Sequence, residues 1–360
     1  MEENLERVKF PEVLSALQDQ SRPFPARLLR GFSDLSEKDL KGFAALWSEI
    51  PLQRRRSLLE DLEDLTENDT LVCFDEMARV VLDDPDPSVR VLAIRLLWEC
   101  ENAGVIPAMV EMLRGDEDEG VRATAASLLG RFVYLGELEE IPDAALINVV
   151  RNLLEVVNGE DLVQIRMRAL ESLGYSGNPS VPAIIRAAFE SPDSLWVASS
   201  LCAMGRSADE QWAEMVLEKL DSEDAEILFE AVRAAGELEL TDALDRLFAL
   251  LEDEQDSEIR LAVIWSLSQI GGSEVKGRLR ELRHESESDE EMEWIEKALD
   301  NLELNSGVEG LNFFNFKPGS VEEDGEAFDD DEEDEDDFDE DEFESLDEYE
   351  EEDDDEDDDR

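Results

Sequence analysis

The sequence predicts an all-α protein, a right-handed solenoid of stacked helical hairpins that ends in a disordered acidic tail. Three observations predict it. A set of residue columns recurs at nearly constant spacing through the middle of the chain. Within each recurrence the apolar residues fall at helical rather than alternating spacing. Residues 321–360 hold 30 Asp or Glu and a single basic residue, Arg360. Such a segment repels itself and offers too little apolar surface to offset the entropy of ordering.

The period is clearest when Arg90, Arg122, Arg166, Val197, Leu228 and Arg260 are taken as anchors; successive anchors lie 32, 44, 31, 31 and 32 residues apart. The long interval carries an insertion of about 12 residues around YLGELEEIPDAA. Four residues before the anchor stand Asp86, Asp118, Asp193, Asp224 and Asp256, with Asp161 one place early in its repeat. Apolar residues recur at −1, +3, +4 and +7, with small ones favoured at +3, and Gly130, Gly174, Gly205 and Gly236 stand at +8. The apolar positions make one stripe of an α-helix. The aspartate fits an N-cap, and Pro87 after it fits the first helical position, where a missing N–H costs little. The glycine fits either a helix end or a tight helix crossing. A second apolar helix follows each time, for example VIPAMVEMLR and ALDRLFALL. One such hairpin cannot bury its apolar face alone, whereas stacked neighbours can.

These columns resemble HEAT repeats, and most closely the short HEAT-like repeats of phycobilin-lyase subunits, over roughly residues 84–284. The resemblance implies an α-solenoid whose second helices line the concave side. It says little of activity, because such repeats serve scaffolds, adaptors, lyases and DNA glycosylases alike. Val197 and Leu228 lack the usual arginine, so a continuous Asp–Arg ladder is not expected there.

The flanks are less regular. Residues 1–50 read as an N-terminal helical cap and 51–304 as the repeat body, with three helices expected between 36 and 83. DEEMEWIEKALDNLEL reads as a last amphipathic helix with Met292, Ile295, Leu299 and Leu302 on one face. Residues 305–320 form a Phe-rich connecting segment before the tail at 321–360. Its Phe313, Phe314 and Phe316 either cap the open end of the solenoid or dock onto another protein.

The chain carries 97 acidic and 32 basic side chains, net −65; residues 1–320 alone hold 67 and 31, net −36. Nucleic acid phosphates and anionic lipid repel such a polyanion, so neither is an expected partner; neutral or basic proteins are. Cys73, Cys100 and Cys202 lie far apart in apolar runs, which suits buried reduced thiols in a cytoplasmic protein rather than a disulfide framework or zinc site. The N-terminus has no signal-peptide pattern, and no run is long and apolar enough for a membrane span.

Catalytic patterns are scarce. His284 lies at the end of a basic helix, and no Ser, Cys or Asp grouping in sequence singles it out. GGSEVKG lacks the GK[ST] ending of a phosphate loop and falls at an inter-helix turn; DDPDP and GDEDEG lack EF-hand spacing and fall at caps. No cofactor is expected. The candidate protein-binding residues are Lys276, Arg278, Arg280 and Arg283, onto which the acidic tail could fold, together with Phe313, Phe314 and Phe316. Arg54, Arg55 and Arg56 read as a helix start with packed stems. The expected function is a non-enzymatic, monomeric scaffold or adaptor for a protein partner. The alternatives are a chaperone-like binder of basic proteins that uses the tail as a nucleic-acid mimic and, by family analogy, a lyase.

Overall fold

Each hairpin begins at an aspartate, for the reason a helix needs a cap. The first backbone N–H groups of a helix have no partner within it, and a short carboxylate supplies one. Asp86 accepts from the Ser88 N–H, Asp118 from Val121, Asp193 from Leu195, and Asp224 and Asp256 each from two N–H groups of the first turn. The displaced Asp161 accepts from Leu162 instead, and the helix that follows starts uncapped.

The computed structural model describes residues 8–305, apart from Gln255, Glu287 and the side chains of Glu67, Asp253 and Asn305. The chain divides into two units, 1–318 and 319–360. Phe313, Phe314, Phe316 and the acidic tail lie outside the described residues. Among the described residues there are α-helices and short 3-10 turns and no strand. Three helices open the chain: α1 (Phe10–Gln18), α2 (Glu37–Trp47) and α3 (Leu52–Asn68). Then come α4 (Asp75–Val81), α5 (Pro87–Arg95), α6 (Ile106–Gly115), α7 (Glu119–Glu137), α8 (Asp143–Val157), α9 (Val163–Leu173) and α10 (Val181–Phe189). The last are α11 (Ser194–Arg206), α12 (Ala213–Lys219), α13 (Ala225–Glu237), α14 (Leu244–Asp253), α15 (Ser257–Ile270), α16 (Ser273–Glu285) and α17 (Asp289–Asn305).

From α3 onward the odd-numbered helices form one layer, each packing on the next, and every even-numbered helix packs against the odd-numbered helix that follows it. This is the stacking that the repeated columns demand. The columns at +3, +4 and +7 are buried, as Ala125, Ala126 and Leu129 show in α7, and the −1 column is buried except at Trp196 and Ile227, which are half-buried.

The glycines at +8 are not helix ends of left-handed conformation; they are close crossings. A Cβ on Gly236 would stand 2.7 Å from the Ser266 Cα, one on Gly174 2.7 Å from the Ala203 carbonyl oxygen, and one on Gly130 2.9 Å from the Ser172 Cβ. Opposite the glycine, at +6 of the next repeat, stand small residues: Ser172, Ala203, Ala234 and Ser266. The Ser172 hydroxyl donates to the Ala126 carbonyl, and Ser266 to that of Val232, both across to the preceding odd-numbered helix. Contact at this range buries a hydroxyl with its hydrogen bond satisfied.

A ladder of cations stitches successive repeats. Arg55 of α3 pairs with Asp84, Arg90 makes a two-point pair with Asp116 at 2.6 and 2.9 Å, and Arg122 pairs with Asp161 at 3.1 Å. Arg166 stacks over Trp196, 5.2 Å from its ring centre. At Val197 and Leu228 the ladder lapses and both residues are buried, before Arg260 resumes it with a two-point pair to Glu291 at 2.9 Å. Some of these arginines also donate to a backbone carbonyl before their own helix, Arg90 to Asp84 in the turn after α4 and Arg166 to Val157 at the end of α8.

That last pair places α17 in the odd-numbered layer and corrects its expected face. Trp294, Ile295, Ala298, Asn301 and Leu302 are buried, whereas Met292 and Leu299 are only half-buried. The helix packs on both α15 and α16, which requires a wider buried arc than the single stripe read from sequence. At the other end Phe10, Phe24, Phe32, Phe43 and Trp47 form a continuous run of ring contacts. Arg54 and Arg55 lay their guanidinium groups over Phe24 and Trp47, and the Trp47 indole donates to Asp84 at 2.7 Å.

Candidate functional site: a groove along helix α8

The insertion in the second interval, between Arg122 and Arg166, does not form a loop. It lengthens the hairpin: α7 has 19 residues and α8 has 15, against 10 in α6 and 9 in α10. At 1.5 Å per residue α8 is about 22 Å long and its two layer neighbours about 15 Å or less. An overlong helix beside short ones keeps part of a side face uncovered. Val149, Leu153, Val156 and Val157 are buried in the core. A second stripe, Leu146, Ile147, Val150 and Leu154, lines a groove of about 810 Å³ between α8, the end of α7 and the α9–α10 turn. Ile147 is 65% exposed, an unusual position for a β-branched apolar side chain.

Polar groups border the groove. The Glu137 carboxylate accepts from the Gly177 N–H at 2.9 Å and fixes the α9–α10 turn against the end of α7. Arg151 donates to Asn148 at 2.6 Å. Glu155 pairs with Arg114 of α6, both about half exposed. Sequence reading missed this site. The signal was present: INVVRNLLEVV has apolar residues on two helical faces, more than one packing face uses.

The odd-numbered helices carry a second feature that the apolar columns hid. Positions +2, +5 and +9 of three successive repeats are Arg168, Glu171 and Tyr175, then Ser199, Cys202 and Arg206, then Glu230, Arg233 and Glu237. Glu171 accepts from Arg168 at 2.7 Å and from the Ser199 hydroxyl at 2.8 Å. Arg233 holds Glu237 at 3.0 Å and Glu230 at 3.6 Å, and Arg206 lies 5.2 Å over the Tyr175 ring. Burial raises the Glu230 carboxyl above the usual range, Arg233 opposes the shift, and Glu171 and Glu237 add to it. The Glu171–Ser199 bond ties α9 to α11, and the Arg233 pairs lie within α13.

The predicted basic residues sit on α16, where all four face carboxylates. Lys276 lies 2.9 Å and Arg280 3.8 Å from Glu303 of α17, and Arg283 2.6 Å from Glu296. Arg278 turns the other way, to Glu252 at 3.3 Å and Glu281 at 3.4 Å. The structure therefore brings Lys276, Arg280 and Arg283 onto one face and sends Arg278 elsewhere. His284 is exposed in the last turn of α16. Gly271 and Gly272, at φ 73° and 105°, make the inter-helix turn of GGSEVKG, a conformation side chains resist. Asp84 and Asp116 cap their turns and receive arginines, which accounts for the two acidic loops. Among the described residues no group of three or more His, Cys, Asp or Glu could hold a metal. No helix described is long and apolar enough to cross a membrane. Cys100 and Cys202 are buried free thiols, but Cys73 is exposed, contrary to expectation, because it lies in the turn before α4 rather than inside a helix.

Stacked hairpins with capped starts, an arginine ladder and small-residue crossings define the class: an α-solenoid of HEAT repeats. The profile described as HEAT repeats matches residues 76–145 and 213–300, and the chain carries HEAT repeats in those stretches. None of the curated proteins matches the chain. Among solved structures it is similar to the CpcE–CpcF complex of phycocyanin lyase from Nostoc, with 17% identity over 63% of this chain and 94% of that one, TM-score 0.43. It is also similar to Kap121p bound to Nup53p, with 12% identity over 84% of this chain and 40% of that one, TM-score 0.42. Human deoxyhypusine hydroxylase shares 18% identity over 72% of this chain and 95% of its own, TM-score 0.32. These likenesses are too distant to carry an activity or a partner across.

Proposed function

We propose that this chain is a non-enzymatic interaction scaffold or adaptor, and that the groove along α8 is where it docks a protein segment. The observation that carries the reading is the apolar lining of the groove on α8, where Ile147 is exposed, Leu146 and Leu154 are half-buried and Val150 forms the buried floor. A groove of this volume is in the range of ligand sites, and its open sides suit a chain passing through rather than an enclosed small molecule. The Ser176 hydroxyl donates to Glu137 at a long 3.4 Å, and the same Glu137 oxygen holds the Gly177 N–H at 2.9 Å, which suits a carboxylate that fixes the turn rather than one that activates a nucleophile. The acidic tail would regulate access or keep the protein soluble.

A second reading is favoured by charge alone. Phe328, Phe338, Phe343, Leu346 and Tyr349 interrupt the carboxylates of the tail. Long-range attraction with local aromatic burial suits a chaperone-like binder of basic proteins. Affinity capture from the native host, with the full chain, a chain ending at 320 and an Ile147→Asp chain, separates the two. The scaffold reading expects a partner retained on the shortened chain and lost from Ile147→Asp. A partner lost with the tail and kept by Ile147→Asp would establish the chaperone reading in its place.

A further inference from the structure

The shape and charge of the groove say what kind of segment it takes. Resting on the docking reading above, we propose that the groove receives an amphipathic α-helix flanked by lysine or arginine, which lies beside α8 as an additional helix of the even-numbered layer.

The helical form follows from the lining. Leu146, Ile147, Val150 and Leu154 fall at i, i+1, i+4 and i+8 of one helix, so the floor is a ridge of helical spacing about 12 Å long. Such a ridge packs best against the grooves of another helix, and an apolar face laid into a groove is a standard mode of peptide recognition. Docking by addition of a β-strand would need an unpaired sheet edge, and the described residues contain no sheet.

The basic flanks follow from charge. Within the lining Glu155 is paired with Arg114, Glu137 holds the Gly177 N–H, and Arg151 keeps its charge while donating to neutral Asn148, so the negative field comes chiefly from outside the groove. Beyond the rim lie Glu139, Glu140 and Asp143, all exposed at the α7–α8 turn. Residues 1–320 carry a net charge of −36, which draws a basic segment in and repels an acidic one. The same field weighs against the protein's own Phe313–Phe316 segment as occupant, since that segment brings with it a tail of net −29.

The test measures binding of a fluorescent Leu/Lys peptide of helical period to the full chain and to its Ile147→Asp and Glu155→Lys variants. The salt is set near 0.3 M, where the Debye length falls to about 6 Å and tail attraction is screened. Ile147 is exposed, so its substitution leaves the fold intact, and the tail is common to all three chains. Two control peptides carry Glu for Lys, or a central Pro that breaks the helix. The expected result is binding weakened about tenfold or more by Ile147→Asp, a smaller loss with Glu155→Lys, and little binding of either control. If the Pro peptide binds equally well and still responds to Ile147→Asp, the groove docks a protein segment but the helix assignment is overturned. If the Glu peptide binds equally well and responds to Ile147→Asp, the basic partner is overturned. If Ile147→Asp leaves Leu/Lys binding unchanged, the groove is not the site and both readings fall together. A photo-cross-linker at position 147 completes the test: it should mark the peptide, and cross-links to Phe313–Phe316 or to a second copy of the chain would overturn the proposal.

Discussion

Gly236 and Ser266 show how little room the stack leaves between its odd-numbered helices. A methyl group at 236 would meet the Ser266 Cα at 2.7 Å, and a helix backbone cannot yield as a flexible side chain would. Gly236→Ala should therefore destabilise the protein by about 1–3 kcal/mol despite the better helix propensity of alanine. Gly277, with open space around its α-carbon, is the control, and Gly277→Ala should stabilise by about 0.5–1 kcal/mol. Denaturant midpoints decide between crossing and cap: equal gains at both sites would mean that the +8 glycine is not held by packing. The thiols give a second test at this scale. Burial pushes Cys100 from 9.0 up to about 12, helped by its hydrogen bond to Asp75, and burial raises Cys202 as well. The folded thiol is then neutral where the unfolded one ionises. The stabilisation from Cys100 is complete below about pH 9 and is lost as pH rises towards 12. At pH 8 iodoacetamide should label Cys73 first, and Cys100 and Cys202 only in denaturant, as read by peptide mass spectrometry. Prompt labelling of Cys202 in the native protein would show that the α11–α13 contact opens.

Helix α8 has apolar residues both in the core and on its groove side, and the two should behave differently. Leu153 is fully buried, so Leu153→Ala should cost about 2–5 kcal/mol through lost burial and the cavity left behind. Ile147→Ser, on the groove side, should change stability by no more than about 0.5 kcal/mol. Thermal or denaturant unfolding checks both. A large loss at Ile147 would mean that the groove is part of the core. The contrast also shows what could be read at this scale. The capping aspartates and the apolar stripe were legible because each is set by residues within one repeat, and the lapse of the ladder because the arginine is missing from its column at Val197 and Leu228. The face of α17 was misread because it depends on two neighbours, α15 and α16, that a single amphipathic stripe does not encode. The groove escaped for a similar reason: the insertion was visible, but only the relative lengths of α6, α8 and α10 turn extra residues into an uncovered face. The network on α9, α11 and α13 lay in columns that apolar periodicity passes over.

For the whole molecule, charge sets the expectation. Removing residues 321–360 takes the net charge from −65 to −36. Like charges raise the free energy of a compact state, and salt screens them over about 10 Å at 0.1 M. The cations at which a folded-back tail would aim, Lys276, Arg280 and Arg283, already hold Glu303 and Glu296. A tail reaching them must displace carboxylates that are held in place by α17, and it gains only the difference between two similar ion pairs. Exposed pairs of this kind contribute about 1 kcal/mol or less. Repulsion should then outweigh capture. The shortened chain should melt a few degrees higher than the full chain at low salt, about 2–4 °C for each 1 kcal/mol relieved. The difference should vanish towards 1 M, where the Debye length is about 3 Å. Scanning calorimetry of the two chains across that salt range measures it directly. If the shortened chain melts lower at low salt, and cross-links join the tail to Lys276, the acidic segment binds in cis by exchanging with Glu303, and the scaffold would carry its own competitor for basic partners.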